Sequence, residues 1–383
     1  MSKIKKDEFK RVLQALKPAL ATDNFIETTV CYCFNKNRVY AYDGVMVIQY
    51  PFKTGIEGGV EGDSLYKIVN SLSVKEVEIS GDSDIFQIKA GRSQFKTGLL
   101  PKSKFILESD SFPPDKRTLS FSLTGSFFKG LEKCLVSIND GTPQNLSQGT
   151  TGITFIREKE GKYTMYSTDN VSISKYHFKA PDKVFKKAKR HSFTLSKKFC
   201  FQILSMKKDL EKGKLVLSKN GDYAGVISPK IPFPKEDFLM ASKTVFVEKE
   251  VPYEDVIKHN LGKGSAVQTP VSPIIVKALE RASIILKNET AIGPGVIFSL
   301  QGKVLKLRSS SVAGEIREKI ILKEELSMKT TEFMVTPSLA LRAFKNNTFW
   351  DISPKALLFK SDANHLHLLA TREVVFPENK DSK

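Results

Sequence analysis

The sequence predicts an α+β chain of three repeated domains, each made of two strand-helix-meander motifs with antiparallel strands. Three observations predict it. Six amphipathic stretches have helical spacing, and each is followed by about three short runs rich in β-branched and aromatic residues. Turn formers separate these runs, among them Asp43-Gly44, Glu160-Gly161, Gln301-Gly302 and Asp362-Ala363-Asn364. One corner also recurs: "VYAYDGVMVIQYPF" (39–52) returns as "YTMYSTDNVSISKYHF" (163–178), with Asp43 and Asp169 in the same place.

The helices follow in order. In "DEFKRVLQALK" (7–17), Phe9, Val12, Leu13 and Leu16 form the apolar stripe, Lys10 and Lys17 lie opposite, and Pro18 stops the run. In "GDSLYKIVNSL" (62–72), Ser64 is the expected cap, with Lys67 facing away from Leu65, Ile68, Val69 and Leu72. "TGSFFKGLEKCLVSI" (124–138) carries Lys129 and Lys133 four apart on its polar face. "LSKKFCFQILSMKKDL" (195–210) reads as one helix capped by Ser196, with Lys208 outside the stripe. "SPIIVKALERASIIL" (272–286) starts on Ser272 with Pro273 in the first helical position, and Lys277 and Arg281 are polar-side. "TPSLALRAFK" (336–345) repeats that start and carries Arg342 and Lys345. Two motifs per domain place the domains at 1–116, 117–241 and 242–383, divided near "SFPPDKR" (111–117) and "FPKEDFLMASK" (233–243). The segment 251–272 reads as an insertion, and "KAPDKVFKKAKRH" (179–191) as a basic loop.

Composition limits the function. Sixty Lys and Arg against 42 Asp and Glu leave a net charge of +18, which points to a polyanionic partner, most simply nucleic acid. No stretch approaches 18 consecutive apolar residues, and the basic N-terminus lacks the apolar core and cleavage site of a secretory signal. Four Cys make no disulfide framework, so a reducing, cytoplasmic setting is expected. His365 and His367 form an H-x-H on a strand without metal partners at ligand spacing, and no phosphate-binding loop or nucleophile elbow is present. Asp43 and Asp169 stand where hairpins need turn formers, so we read them as corners and expect no enzyme, metal or cofactor.

With these motifs in order, the chain resembles the bacterial-type sliding clamp, the β subunit of the replicative DNA polymerase, as a divergent member of bacterial or phage origin. The resemblance rests on "FKRVLQAL", on "AYDGVMVIQYPF", and on "GRSQFKTGLLPKSKF" (91–105), which is similar to the family's Gly-Arg-Ser-x-Phe … Leu-Pro-x-x-x-Phe passage. "YSTDNVSIS" (166–174) resembles its Thr-Asp-Gly-His-Arg-Leu region, and "IIVKALERASIIL" with "VLKLRSSS" the opening of its third domain. The resemblance implies three clamp domains per chain and a head-to-tail homodimer ring, with helices lining the hole and sheets outside. It also implies a processivity factor that encircles duplex DNA, and DNA polymerase, clamp loader and other clamp-binding-motif proteins as partners. Duplex DNA carries one charge per ~1.7 Å of axis, so a sliding ring needs attraction without base readout. The expected DNA-facing residues are Lys10, Arg11, Lys17, Lys67, Lys129, Lys133, Lys208, Lys277, Arg281, Arg342 and Lys345. By position, the family's partner-peptide groove would consist of Thr168, Asn170, Val171, Ser172, Ile173, Pro234, Phe238, Leu239, Met334, Pro337, His367 and Leu369. The chain departs from the family there. Asn170 replaces Gly, Val171-Ser172 replaces His-Arg, and "LLATREVVFPENKDSK" replaces a Met-Pro-Met-Arg-Leu ending. The alternatives are a non-encircling basic DNA-binding accessory protein and a nuclease, and the second lacks its carboxylate cluster.

Overall fold

The computed structural model describes residues 2–22, 26–82, 84–101, 117–138, 151–184, 191–218, 221–231, 239–245, 251–261, 267–286 and 295–374. The expected motif occurs six times along it. The first is β1 (Ser2–Lys5), α1 (Lys6–Leu16), β2 (Cys31–Asn35), β3 (Arg38–Tyr42) and β4 (Met46–Pro51). The second is β5 (Glu57–Glu61), α2 (Gly62–Ser71), β6 (Glu76–Asp82), β7 (Ile85–Ala90) and β8 (Ser93–Gly98). The third is β9 (Arg117–Ser122), α3 (Gly125–Cys134), β10 (Gly152–Lys159), β11 (Lys162–Thr168) and β12 (Ser172–Lys179), with a short β13 (Asp182–Val184) after it. The fourth is β14 (His191–Ser196), α4 (Lys197–Ser205), α5 (Lys207–Leu210), β15 (Lys214–Ser218), β16 (Tyr223–Ile227) and β17 (Met240–Lys243). After α6 (Tyr253–Asn260), the fifth is β18 (Thr269–Pro270), α7 (Pro273–Ile285), β19 (Val296–Gln301), β20 (Val304–Ser311) and β21 (Gly314–Ile321). The sixth is β22 (Thr330–Val335), α8 (Pro337–Asn346), β23 (Phe349–Ile352), β24 (Ala356–Lys360) and β25 (His365–Ala370).

Helix starts follow local chemistry, with two departures from expectation. Ser196 Oγ accepts the Phe199 N–H at 3.3 Å, and Ser272 Oγ accepts that of Ile274 at 3.3 Å, with Pro273 behind it. Helix α2, however, is capped by Glu61, whose carboxylate takes the Asp63 and Ser64 N–H groups at 3.0 and 2.8 Å. A carboxylate reaches two orphan donors where a Ser hydroxyl reaches one, so the helix begins before Ser64. The stretch 195–210 breaks at Met206 into α4 and α5, which puts Lys208 on a separate turn. The expected insertion before the fifth helix contains α6. The expected boundary segments fall largely on 102–116 and 232–238, outside the described residues, as does part of the basic loop, 185–190.

The chain divides into two compact units: Met1–Phe128 with 159–161 and Lys179–Phe246, and Lys129–Glu158 with Lys162–Phe178 and Val247–Lys383. The first holds a four-stranded sheet, β1-β6-β7-β8, and a nine-stranded sheet, β13-β9-β15-β16-β17-β4-β3-β2-β5. In the second, strands run β10-β11-β12-β25-β24-β23-β18 and, separately, β21-β20-β19-β22. Each long sheet contains a junction between motifs distant in sequence. In the first unit β17 pairs antiparallel with β4: Met240 opposite Ile48, Ala241 opposite Val47, Ser242 opposite Met46. In the second β25 pairs with β12: Leu369 opposite Ser172, Leu368 opposite Ile173, His367 opposite Ser174.

Each unit has an aromatic core under its helices. Phe9 of α1 is stacked 5.6 Å from Phe52, and Phe34 lies 5.4 Å from Phe86. In the second unit Phe344 of α8 meets Trp350 at 5.1 Å and Phe359 at 4.9 Å. Phe9, Phe34 and Phe344 are fully buried or nearly so, and emptying any one to Ala costs about 3–5 kcal/mol. The four cysteines are free and buried, and burial together with Glu61 and Glu27 pushes the Cys31 thiol up to about 12.

Candidate nucleic-acid interface and partner surface

The helix cations fall into two electrostatic classes. In the first compact unit, α1 packs against α2. Lys10 and Arg11 of α1, and Lys17 just past its end, lie off the helix's buried stripe, Lys10 half-buried and the other two exposed. Lys17 reaches Asp63 of α2 at 3.9 Å and sits 4.6 Å above the Tyr66 ring. Lys67 bonds the same Asp63 at 2.6 Å, one turn away. Lys10, Arg11 and the exposed Lys208 have no carboxylate partner among the described residues.

In the second unit most cations are matched. Lys129 of α3 pairs with Asp362 at 2.6 Å, and the Lys133 ammonium donates to the Asn346 carbonyl at 2.5 Å. Burial and the neighbouring Lys129 lower the Lys133 pKa. Helices α7 and α8 pack together, and Lys345 of α8 meets Glu280 of α7 at 2.7 Å. Arg281 is held by Glu318 of β21 at 2.7 Å. Arg342 points at Asp169, 3.1 Å away, and is only 29% exposed. Lys277 alone of these six has no partner among the described residues. Exposed pairs such as Lys67–Asp63 contribute little and exchange readily with phosphate. Arg342 is different, because the carboxylate it serves is 5% exposed.

The two aspartate corners are built alike. Asp43 Oδ1 accepts the Val45 and Met46 N–H groups at 2.9 and 2.7 Å. Asp169 Oδ1 accepts those of Val171 and Ser172 at 3.1 and 2.5 Å, and the Ser172 hydroxyl at 3.0 Å. Gly44 (φ 94°) and Asn170 (φ 69°) supply the left-handed residue the tight turn requires, which explains Asn in place of Gly. Each second oxygen binds a cation from a helix in another motif: Lys198 for Asp43, Arg342 for Asp169. The corner reading of both residues therefore stands on geometry.

The groove residues divide by strand parity. Thr168, Ser172, Pro337, His367 and Leu369 are buried, and His367 Nδ1 lies 2.8 Å from Ser174 Oγ and 3.1 Å from Ser137 Oγ. Leu369 belongs to the cluster beneath α7 and α8. On β25 the opposite face carries Leu366 and Leu368, and there a second cluster forms with Ile156, Tyr166, Ile173 and Leu358. A one-residue step along a strand reverses the face, so the expected His367 and Leu369 point inward while their neighbours face the other way. Asn170 and Val171 are exposed, the latter 40%. Met334 is half-buried and bridges Arg372. Leu239 lies in the first compact unit, its N–H bonded to the Val226 carbonyl and its carbonyl to the Gln49 N–H. Pro234 and Phe238 lie outside the described residues.

Sequence reasoning missed α6, which covers part of this second face. Tyr253, Ile257 and Leu261 recur at a spacing of four, the stripe that could have revealed it. Tyr253 stacks on Tyr166 at 4.8 Å, and Glu254 is bound by the Tyr166 hydroxyl and by Lys175 at 2.5 Å. Burial opposes ionisation of Glu254, but those two donors prevail and lower its pKa.

No family profile matches the sequence, and no curated protein matches it by sequence alone. Solved structures do match. A Helicobacter pylori beta clamp bound to a DNA ligase peptide is 15% identical, with 97% of this chain and 99% of that one covered at a TM-score of 0.75. A DNA polymerase sliding clamp from Pseudomonas aeruginosa is 16% identical at the same coverage and TM-score. A protein described as a DNA polymerase III beta subunit from Eubacterium rectale is 16% identical over the same shares, at 0.77. This chain has the bacterial beta-clamp fold, at a large sequence distance from its solved carriers.

Proposed function

We propose that the chain is a DNA sliding clamp: three domains, 1–116, 117–241 and 242–383, that close with a second copy into a ring around duplex DNA and tether a polymerase. What supports this most is the likeness to solved clamps over nearly the whole chain, joined to a net charge of +18 and to four helix cations without carboxylate partners among the described residues. In this reading the protein has no catalysis of its own and needs no cofactor. It acts by topology, since an encircled duplex cannot leave sideways. Lys10, Arg11, Lys208 and Lys277 are the strongest phosphate contacts, because no carboxylate among the described residues competes for them. The face carrying Ile173, Leu366, Leu368 and α6 would accept short apolar motifs of polymerase, loader and other partners by burying apolar area at about 25 cal/mol per Å².

The test is retention on DNA. The protein is expected to stay on nicked circular DNA after a loader or high protein concentration places it there, and to run off the same DNA once it is linearised. Equal loss from both forms would instead indicate a basic accessory protein that does not encircle. A variant with Lys10, Arg11, Lys208 and Lys277 changed to Ala should also show a shallower salt dependence. Each lost phosphate contact removes about 0.9 from the slope of log K against log salt. An unchanged slope would remove these four from the DNA path.

A further inference from the structure

Helix α6 lies against the sheet face that carries Ile173, Leu366 and Leu368, and few side chains hold it there. Of its eight residues only Tyr253 and Ile257 are buried. Leu261, one position past its end, joins them in the same cluster. No side chain caps its N-terminus, and a helix this short is marginal by itself. The sheet, by contrast, presents a fixed grip. Tyr166 of β11 stacks on Tyr253 at 4.8 Å with the rings 12° from parallel, and Thr154 Oγ1 of β10 lies 3.3 Å from the Tyr253 hydroxyl. The Tyr166 hydroxyl and the Lys175 ammonium of β12 both donate to Glu254. Ile156, Leu358 and Leu368 complete the apolar floor.

The internal repeat shows that this grip is particular to the second unit. Tyr166 stands three residues before the Asp169 corner and Lys175 six after it. The same steps from Asp43 lead to Tyr40 and Gln49. Tyr40 sits in a similar apolar cluster, with Val47 in the place of Ile173, yet that cluster holds no α-helical residue among those described. Gln49 is neutral and accepts from the Arg38 guanidinium at 3.2 Å. Among the described residues, the cation and the helix that brings it a carboxylate thus occur together at one seam and are both missing at the other. Lys175 is only 17% exposed and Tyr166 is buried, so whatever lies on this face must supply them with an acceptor.

We propose that α6 is an internal occupant of the partner face, displaced by an amphipathic helical segment of a partner protein that repeats its pattern: an aromatic residue, a carboxylate beside it, and branched apolar residues four and eight positions further on. The proposal rests on the reading of this face as the partner surface and names the chemistry the face selects. A helix laid on an apolar surface is recognised through anchors at such spacings. Here the aromatic anchor stacks on Tyr166, the carboxylate takes the Lys175 and Tyr166 donors, and the two apolar anchors replace Ile257 and Leu261. A segment without the carboxylate leaves a half-covered ammonium and a buried hydroxyl unpaired, and is rejected for that reason. Because α6 is tethered, it competes at an effective concentration on the order of mM. The face is therefore closed at rest and opens only to segments that match it.

A free peptide of residues 251–261 is the probe, titrated to about 5 mM to match the tethered segment and read by saturation transfer from the full-length protein to its tyrosine ring. The variant Tyr253→Ser with Ile257→Ser, which releases α6, is expected to bind it. The wild type, with its face filled, should bind at least about 10-fold more weakly. Glu254→Lys leaves every buried side chain in place and should give a gain of roughly 5-fold over wild type, which keeps the test open if the double variant does not fold. Adding Lys175→Glu to either variant should abolish binding, and a peptide with Lys in place of its glutamate should restore it. Equal binding to wild type and variants, or binding to none of them, would overturn the displacement of α6. Binding indifferent to the Lys175 swap would overturn the stated motif chemistry. Retention on circular DNA judges the ring reading separately, and its loss with peptide binding intact would remove that reading alone.

Discussion

Asp169→Ala is expected to destabilise the second compact unit by about 3 kcal/mol, read as a fall in the urea midpoint at constant slope. Two losses combine. The turn loses the acceptor for two backbone N–H groups and a hydroxyl, and the Arg342 guanidinium loses a partner that is 5% exposed. Because Arg342 is itself 29% exposed, water reaches it in part, which keeps the loss at the low end of the range for broken buried pairs. Asp169→Asn keeps an oxygen for the turn and removes the charge, so it should cost roughly half as much. The equivalent Asp43→Ala should cost only about 1–2 kcal/mol, since Lys198 is 51% exposed and its pairing is solvent-screened. Equal losses at the two corners would contradict this division between turn and ion pair.

The second large effect is acid sensitivity. His365 is 2% exposed, packs 6.2 Å from the Tyr176 ring, and has no hydrogen-bond partner on either ring nitrogen among the described residues. Burial is the main cause that lowers its pKa to about 3. Lys133 and Lys129 push the same way, Asp362 pushes against them, and His367, also held well below its usual range, lies nearby on β25. The unfolded chain binds this proton near pH 6.5 and the folded chain does not. Stability is therefore complete above pH 6.5, falls as pH drops through the window, and levels off near pH 3, with a total on the order of 4 kcal/mol. The variant His365→Phe should keep the ring packing and make the fall in unfolding free energy between pH 6.5 and 4 shallower, leaving the share that His367 contributes. Equal slopes in wild type and variant would show that the His365 imidazole is charged or solvated in the fold.

Periodicity carried the helices and the repeat. All six helical stretches start within a few residues of where their caps and apolar stripes place them, because the amphipathic stripe and the cap are local. The aspartate corners were legible for the same reason, since a two-residue turn is settled by its own residues. What the sequence left hidden depends on partners far along the chain. Lys129 meets Asp362 and Arg281 meets Glu318, so the count of cations open to phosphate is smaller than the helix faces suggest. The inward turn of His367 and Leu369 depends on which face of β25 meets the helices, a parity that a single misplaced residue inverts. Helix α6 was missed because Tyr253 and Ile257 were read as part of an insertion, although their spacing matches one helical turn.

In the proposed ring, copies would join head to tail through two unlike edges, so every such join would be heterologous. Such a join propagates until rotation brings the last copy back to the first, and it otherwise grows without end. Under that proposal, what would keep the assembly small and closed is the geometry of the internal seams, β17 on β4 and β25 on β12. A substitution that bends the β17–β4 or β25–β12 seam by a few degrees, far from either edge, would leave every contact between copies intact and yield filaments visible by electron microscopy.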